Sequence, residues 1–186
     1  MRKILLSQDQ IREINKDLGA KITKEVENDE KIPVFVGVMK GALNFMMDLT
    51  KYIGYPIYTD FIQISSYQGT ETSGSITLTK DLNRNCQGRT VVIIEDVIDT
   101  GLSMHFLIQH IKASQHPKRI IVVALFDKKA ARKVDVQLDY SGMVVEQNDF
   151  LLGYGLDYNE LCRNIPYVYC ADKEEIFRLN DIIKNK

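Results

Sequence analysis

Apolar residues near the start of the chain recur at spacings of three and four positions, which predicts an amphipathic helix. They are Ile11, Ile14, Leu18, Ile22 and Val26. Ser7 and Gln10 form an S-x-x-Q capping box before them, so the helix is expected to begin just after Ser7. A last helix is predicted after Asp172, which stands in capping-box register with Glu175. Its apolar face would carry Ile176, Leu179, Ile182 and Ile183.

Between these helices, short apolar or alternating runs predict β-strands. The predicted strands cover residues 33–39, 57–65, 75–79, 90–97, 119–126, 143–146 and 166–171. Helical stretches follow two of them, over 42–53 and 104–113. This order predicts an α/β fold with a mainly parallel sheet and helices on both faces, including a right-handed parallel crossover over 90–126. Ligands of such sheets bind at the C-terminal ends of the strands.

Composition indicates a single globular domain. The 186 residues are 45% hydrophobic and 26% charged, which excludes intrinsic disorder. Lys and Arg number 24 against 25 Asp and Glu, so a small polar substrate is expected and non-specific nucleic-acid binding is not. The three cysteines form no C-x-x-C pair and are expected to be reduced thiols. Because no apolar run matches a signal peptide or a membrane span, we expect a cytoplasmic protein.

Three predicted strands end in residues that carry chemistry, and these ends would meet along one edge of the sheet. The segments are Lys40-Gly41, Glu95-Asp96 and Asp127-Lys128-Lys129. An unpaired charge is costly to bury, so a cation or ligand hydroxyl groups would stabilise the two acids. They could equally lie in solvent beyond the strand. Strand alternation also predicts that Glu95 and Asp96 point to opposite faces unless the strand bends.

The segment Asp99-Thr100-Gly101-Leu102-Ser103 follows the acid pair where a helix is predicted to begin. Successive backbone N–H groups and the helix dipole could hold a phosphate there. Ser103 could instead be an ordinary N-cap residue. A second polar segment, SYQGTETSG at 66–74, lacks apolar periodicity and is expected to be a mobile flap over the site.

The segment VVIIEDVIDTGLS resembles the phosphoribosyl-pyrophosphate motif of the type I phosphoribosyltransferases. Other segments resemble the 6-oxopurine branch of that family, the hypoxanthine-guanine phosphoribosyltransferases. They are FVGVMKGALNF, Ser66-Tyr67, Lys128, and FLLGYGLDYNELCRN at 150–164. The resemblance covers about residues 8 to 172. It implies one phosphoribosyltransferase domain over 1–186, with a small hood lobe from the terminal segments, that makes IMP or GMP in purine salvage.

The resemblance also implies a role for each matching residue. Glu95 and Asp96 would bind the ribose hydroxyls, partly through Mg²⁺, and Thr100, Gly101 and Ser103 would hold the 5′-phosphate. Asp99 would accept the N7 proton of the purine. Lys128 would donate to the 6-oxo group, Phe150 would stack on the ring, and the backbone near Leu151 would meet the other edge. Asp157 would bind a Mg²⁺ that carries pyrophosphate, while Lys40, Gly41 and Arg163 would contact that pyrophosphate. A cis peptide is implied next to Lys40, either after Met39 or after Lys40, and Ser66 and Tyr67 would begin the flap.

Simpler interpretations exist for several of these residues. Phe150 could belong to the core, and Asp157 and Arg163 could be surface charges on a loop. The histidines match no metal-ligand spacing and are interpreted as structural; they are His105, His110 and His116. Lys129 is expected to be solvated.

Three other functions fit the sequence less well. A non-catalytic regulator that binds nucleic acid conflicts with the intact Asp99, Lys128 and Asp157. An aspartic protease needs an all-β context, whereas a helix is predicted after Ser103. A phospho-receiver module usually carries its acids after the first strand.

The family also implies a homodimer or homotetramer, with no nucleic-acid or membrane partner.

Overall fold

The computed structural model describes residues 3–66, 76–146 and 149–185. Their strands are β1 (Lys3–Leu6), β2 (Val34–Met39), β3 (Tyr58–Ser66), β4 (Ile76–Lys80), β5 (Thr90–Ile98), β6 (Arg119–Asp127), β7 (Tyr140–Val144), β8 (Phe150–Leu152) and β9 (Val168–Ala171). The α-helices are α1 (Gln8–Val26), α2 (Leu43–Thr50), α3 (Leu102–Gln115) and α4 (Lys173–Lys184). A 3₁₀ turn, Lys129–Ala131, follows β6.

Six strands form a central sheet in the order β4-β3-β2-β5-β6-β7. The pairs β2–β3, β2–β5, β5–β6 and β6–β7 are parallel, and the edge strand β4 is antiparallel to β3. At the centre, Val34 of β2 stands opposite Val91 of β5. The α/β class and the mainly parallel sheet predicted from the sequence are therefore confirmed.

Alternate residues of the central strands fill two separate cores. Phe35 and Val92 pack with buried residues of α1 and α2 on one face of the sheet. Val36 and Ile93 pack with buried residues of α3 on the other. Because both faces are covered, the central strands are apolar in nearly every position. The sheet edge where β2, β5 and β6 end is left for polar residues.

The helix starts predicted after Ser7 and Asp172 are confirmed. The Ser7 side chain accepts a hydrogen bond from the Gln10 backbone N–H at 3.3 Å, and the Gln10 side chain accepts one from the Ser7 N–H at 2.9 Å. Asp172 accepts from the Glu175 N–H at 2.8 Å. Among the described residues, no helix is long and apolar enough to cross a membrane.

A second, three-stranded antiparallel sheet has the order β1-β9-β8 and forms the expected small hood lobe. The sequence did not predict β1 or β8. These strands have 4 and 3 residues. Segments this short become strands only through pairing with β9, which local sequence patterns do not reveal. The strand predicted at 143–146 is also shifted, since β7 spans Tyr140–Val144.

Candidate active site

The three predicted strand ends lie side by side, because β2, β5 and β6 are adjacent and parallel. The backbone N–H of Lys128 donates to the carbonyl oxygen of Ile98 at 3.0 Å, which connects the ends of β6 and β5. The loop after β2 begins with a cis peptide bond between Met39 and Lys40, one of the two positions that the resemblance left open. The candidate residues of these three loops therefore share one edge.

Gly41 packs against Asp96 of β5 and Gly155 of the loop that follows β8. A Cβ built at this position would overlap the carboxylate of Asp96. A Cβ at Gly155, whose φ is +102°, would overlap the carbonyl oxygen of Gly41. Both glycines allow a close approach that no other residue would permit. The loop after β2 is thus held between the acid pair of β5 and the loop that follows β8, which we call the hood-side loop.

Glu95 and Asp96 contact each other, which is the exception expected where the regular alternation of the strand is broken. Ile94 and Val97 both pack against the α1 and α2 core, so the alternation of β5 is interrupted between them. Burial raises the pKa of Glu95 well above its ordinary value, and the neighbouring Asp96 charge and hydrogen bond raise it further. Two carboxyl groups this close favour one shared proton or a cation.

Helix α3 begins at Leu102 with Gly101 as its N-cap, so the interpretation of Ser103 as N-cap is wrong. Gly101 has a φ of +85° and no side chain to cap the helix. A Cβ there would lie 2.6 Å from the Val134 carbonyl oxygen. Thr100 precedes this turn and Asp99 is exposed beside it. The helix N-terminus therefore presents backbone N–H groups next to the acid pair, as an anion site requires.

Lys128 and Phe150 lie together beyond the end of β6. The Lys128 ammonium donates to the carbonyl oxygen of Asp149 at 2.9 Å, next to Phe150. Phe150 is 46% exposed, so it is not a core residue, whereas Leu151 is buried. The Phe150 ring meets Tyr158 edge-on, with centroids 5.8 Å apart. A half-exposed aromatic ring, one residue from the carbonyl that holds the Lys128 ammonium, suits a planar, polar ligand.

The neighbours of Lys128 do not share this arrangement. Asp127 is buried and forms an ion pair with Arg132, so its carboxylate is already neutralised. Lys129 is exposed, as expected. Lys128 differs from both in that its ammonium is hydrogen-bonded to the residue that precedes Phe150.

A cluster of charges lies on the loop that follows β8. Arg163 forms an ion pair with Asp157 at 2.8 Å and donates to the Gly155 carbonyl oxygen at 2.7 Å. These two side chains are only 25% and 28% exposed, so they are not ordinary surface charges. Lys40, from the loop after β2, pairs with Glu160 at 2.8 Å, and Glu160 also approaches Arg163 at 3.4 Å.

Sequence reasoning missed Glu160. The pKa of its carboxyl group is lowered by hydrogen bonds from Lys40 and then Arg163. Two of its contacts are local in the sequence: its backbone N–H donates to Asp157, and its carboxylate approaches Arg163, each three residues away. The pair with Lys40 joins residues 120 positions apart, and no sequence pattern predicts it.

The remaining two candidates, Ser66 and Tyr67, are the first residues of the proposed flap. Ser66 is the last residue of β3, which runs parallel to β2. Tyr67 and nearly all of the proposed flap at 66–74 lie outside the described residues.

Comparison with known proteins gives consistent similarities. Residues 7–159 match the family model described as phosphoribosyl transferase domain. The hypoxanthine-guanine phosphoribosyltransferase of Bacillus subtilis is 41% identical over 169 residues, covering 90% of this chain and 92% of that protein. The crystal structure of a hypoxanthine phosphoribosyltransferase from Staphylococcus aureus is 37% identical, with a TM-score of 0.86 and 92% coverage of each chain.

A further group of similar proteins is longer. The bifunctional protein TilS/HprT of Listeria monocytogenes is 43% identical over 169 residues, which cover 90% of this chain. The matched region makes up only 26% of that protein, so the chain spans about a quarter of the length of these bifunctional relatives.

Proposed function

The chain belongs to the hypoxanthine-guanine phosphoribosyltransferase family, and we propose that it transfers the 5-phosphoribosyl group from phosphoribosyl pyrophosphate to hypoxanthine or guanine. The products are IMP or GMP and pyrophosphate. The observation that best supports this function is the meeting of three features at one sheet edge. They are the open N-terminus of α3 beside an acid pair, an ammonium beside an exposed phenyl ring, and a cluster of Lys40 and Arg163 with two carboxylates.

The phosphoribosyl group would bind at the turn between β5 and α3. Thr100, Gly101 and Ser103 would hold the 5′-phosphate, because the first N–H groups of α3 and the helix dipole favour an anion. Glu95 and Asp96 would accept hydrogen bonds from the ribose hydroxyls. This use of the acid pair offsets the cost of keeping two carboxyl groups in contact.

The purine would bind between the hood and the end of β6. Phe150 would stack on the ring, and the backbone at Leu151 would bind its other edge. Lys128 would donate to the 6-oxo oxygen, with its ammonium already oriented by the Asp149 carbonyl. Asp99, exposed beside the phosphate turn, would accept the proton from N7 as N9 forms its bond to C1 of the ribose.

The leaving pyrophosphate would bind to Lys40, the backbone of Gly41, and Arg163. As the bond between C1 and the pyrophosphate oxygen breaks, positive charge develops on the sugar and negative charge on the leaving group. Fixed cations near that oxygen stabilise the separation. The proposed flap, beginning at Ser66 and Tyr67, would exclude water, which could otherwise attack the same carbon.

The carboxylates of the site fit Mg²⁺. This ion usually binds through one or two carboxylates together with substrate phosphates. Among the described residues no group of three or more His, Cys, Asp or Glu side chains forms a metal site, and Glu95 with Asp96 supplies a pair. Asp157 would be the other protein ligand, although Arg163 and the Glu160 N–H already contact its oxygens. Bound Mg²⁺ would neutralise charge on the pyrophosphate.

We also propose a single catalytic domain that assembles as a homodimer or homotetramer. Tyr154, on the hood-side loop, donates to Asp48 of α2 at 2.8 Å and accepts from Asn15 of α1 at 3.2 Å, so the two lobes are joined by buried hydrogen bonds.

Leu43 and Met47, one turn apart on α2, are 39% and 49% exposed and offer an apolar contact for a second copy. Light scattering after size-exclusion chromatography measures the assembly.

The function is tested by incubating the protein with Mg²⁺, phosphoribosyl pyrophosphate and one purine at a time. We expect hypoxanthine or guanine to yield a nucleotide and pyrophosphate in equal amounts. Formation of neither product with any 6-oxopurine would contradict the proposed function.

A further inference from the structure

Glu160 occupies a backbone position that favours glycine. Tyr158 and Leu161 pair across a tight turn, with N–H to carbonyl distances of 3.1 and 3.0 Å in the two directions. The two residues between them, Asn159 and Glu160, have φ angles of +47° and +69°. Turns with two positive φ angles favour Asn followed by Gly, because a Cβ is disfavoured there. Asn159 fits this preference and Glu160 does not. Residues held in disfavoured backbone conformations cluster at functional sites, so the contacts of the Glu160 side chain are of interest.

The Glu160 carboxylate lies between two cations. One oxygen accepts from the Lys40 ammonium at 2.8 Å, and the other lies 3.4 Å from the Arg163 guanidinium. These are the two positive side chains that the proposed function assigns to pyrophosphate. A carboxylate of the chain therefore makes the contacts with these two cations that an anionic ligand would make.

The distances from the Arg163 guanidinium to its three partners indicate which partner a ligand would displace. Its guanidinium meets the Gly155 carbonyl at 2.7 Å, Asp157 at 2.8 Å and Glu160 at 3.4 Å. Glu160 is the most distant of the three and its side chain is 62% exposed, whereas Asp157 is 28% exposed. Lys40 is 50% exposed and can turn toward a ligand. Glu160 is thus the partner most easily released.

We propose that Glu160 is an internal counter-anion of the pyrophosphate subsite, which the diphosphate of the substrate displaces and which returns as pyrophosphate leaves. This inference rests on the proposed function. The carboxylate competes with the ligand for Lys40 and Arg163, so it weakens pyrophosphate binding and assists product release. Glu160 is a positioning residue that keeps the two cations in place between turnovers.

Calorimetric titration with magnesium pyrophosphate tests the competition directly. We would compare the wild type with Glu160→Gln, which removes the charge, and Glu160→Gly, which also suits the positive φ and preserves the turn. The control is Glu13→Gln on α1, an equally exposed carboxylate paired with Lys16 and 64% exposed. Since exposed ion pairs have small energies, we expect the pyrophosphate Kd to fall about two- to tenfold in both Glu160 variants, with no change in the control.

The sign of this change separates the alternatives. A group that only supports the loop would, when removed, leave pyrophosphate binding unchanged or weaker, and either result in both variants would overturn the inference. Tighter binding together with stronger product inhibition by pyrophosphate would support it. If the wild type neither binds magnesium pyrophosphate nor makes nucleotide, the proposed function itself fails, and that result is distinct from a failure of the competition alone.

Discussion

Gly41 lies directly against the carboxylate of Asp96, so the loop after β2 and the acid pair of β5 share one contact. Any side chain at position 41 would have to move that carboxylate. Because Asp96 is proposed to bind the ribose and Gly41 the pyrophosphate, this contact sets the distance between the two parts of the substrate.

We therefore expect Gly41→Ala to lower kcat/KM by about 10²-fold or more, since a misplacement of about 1 Å in a site has that effect. Gly54→Ala is the matched control, because a Cβ there meets only Thr23 Cγ2 at an ordinary 3.6 Å. Steady-state kinetics with varied phosphoribosyl pyrophosphate gives kcat/KM for Gly41→Ala and for the control. Equal activity of Gly41→Ala and the control would show that the contact is not needed.

The contact between Gly41 and Asp96 also illustrates what the sequence could predict. The apolar runs indicated β2 and β5, and parallel pairing then brought Lys40-Gly41 and Glu95-Asp96 to one edge. The contact between Glu95 and Asp96 was not predictable, because alternation holds only while a strand stays regular. The hood strands β1 and β8 and the contacts of Glu160 depend on residues far apart in the chain. Local patterns carry no information on such pairing.

Asp99→Asn should lower kcat by about 10²–10⁴-fold with little effect on substrate binding, because the carboxylate is proposed as the base for N7. Asp99 is exposed in the turn before α3, so we expect the fold to be independent of its charge. Asp17→Asn, at an exposed ion pair on α1, serves as the control. Single-turnover rates and the Kd for phosphoribosyl pyrophosphate separate chemistry from binding. A kcat within a factor of about two of wild type would exclude a base at this position.

Asp60 stabilises the fold in a pH-dependent way. Burial alone would raise the pKa of Asp60, but the backbone N–H groups of Arg84, Phe61 and Asn83 outweigh it and hold this pKa below its ordinary value. A lowered folded pKa adds stability above the unfolded pKa of about 3.9, and this stability is lost as the pH falls through the folded value.

Asp60→Asn should accordingly lower the free energy of unfolding by about 1–3 kcal/mol at pH 7, and the difference from wild type should shrink toward pH 3. Urea unfolding at several pH values between 7 and 3 measures this. A difference that stays constant over that range would mean that shape, and not the charge on Asp60, determines the effect.

Base choice tests the placement of Lys128. Its ammonium has three donors and no acceptor, so it can satisfy the 6-oxo oxygen of hypoxanthine or guanine but would face the 6-amino group of adenine donor to donor. The Asp149 carbonyl already orients this ammonium toward the side of Phe150. A site built around one hydrogen bond can discriminate by about 10⁴–10⁵-fold, because the wrong base leaves polar groups unpaired. We expect conversion of hypoxanthine or guanine and rejection of adenine in the wild type.

Lys128→Ala should lose most activity toward 6-oxopurines, while Lys129→Ala, its exposed neighbour, should retain it. Comparison of kcat/KM for the three bases in each variant decides the matter: adenine turnover within about tenfold of hypoxanthine in the wild type would remove Lys128 from the base pocket.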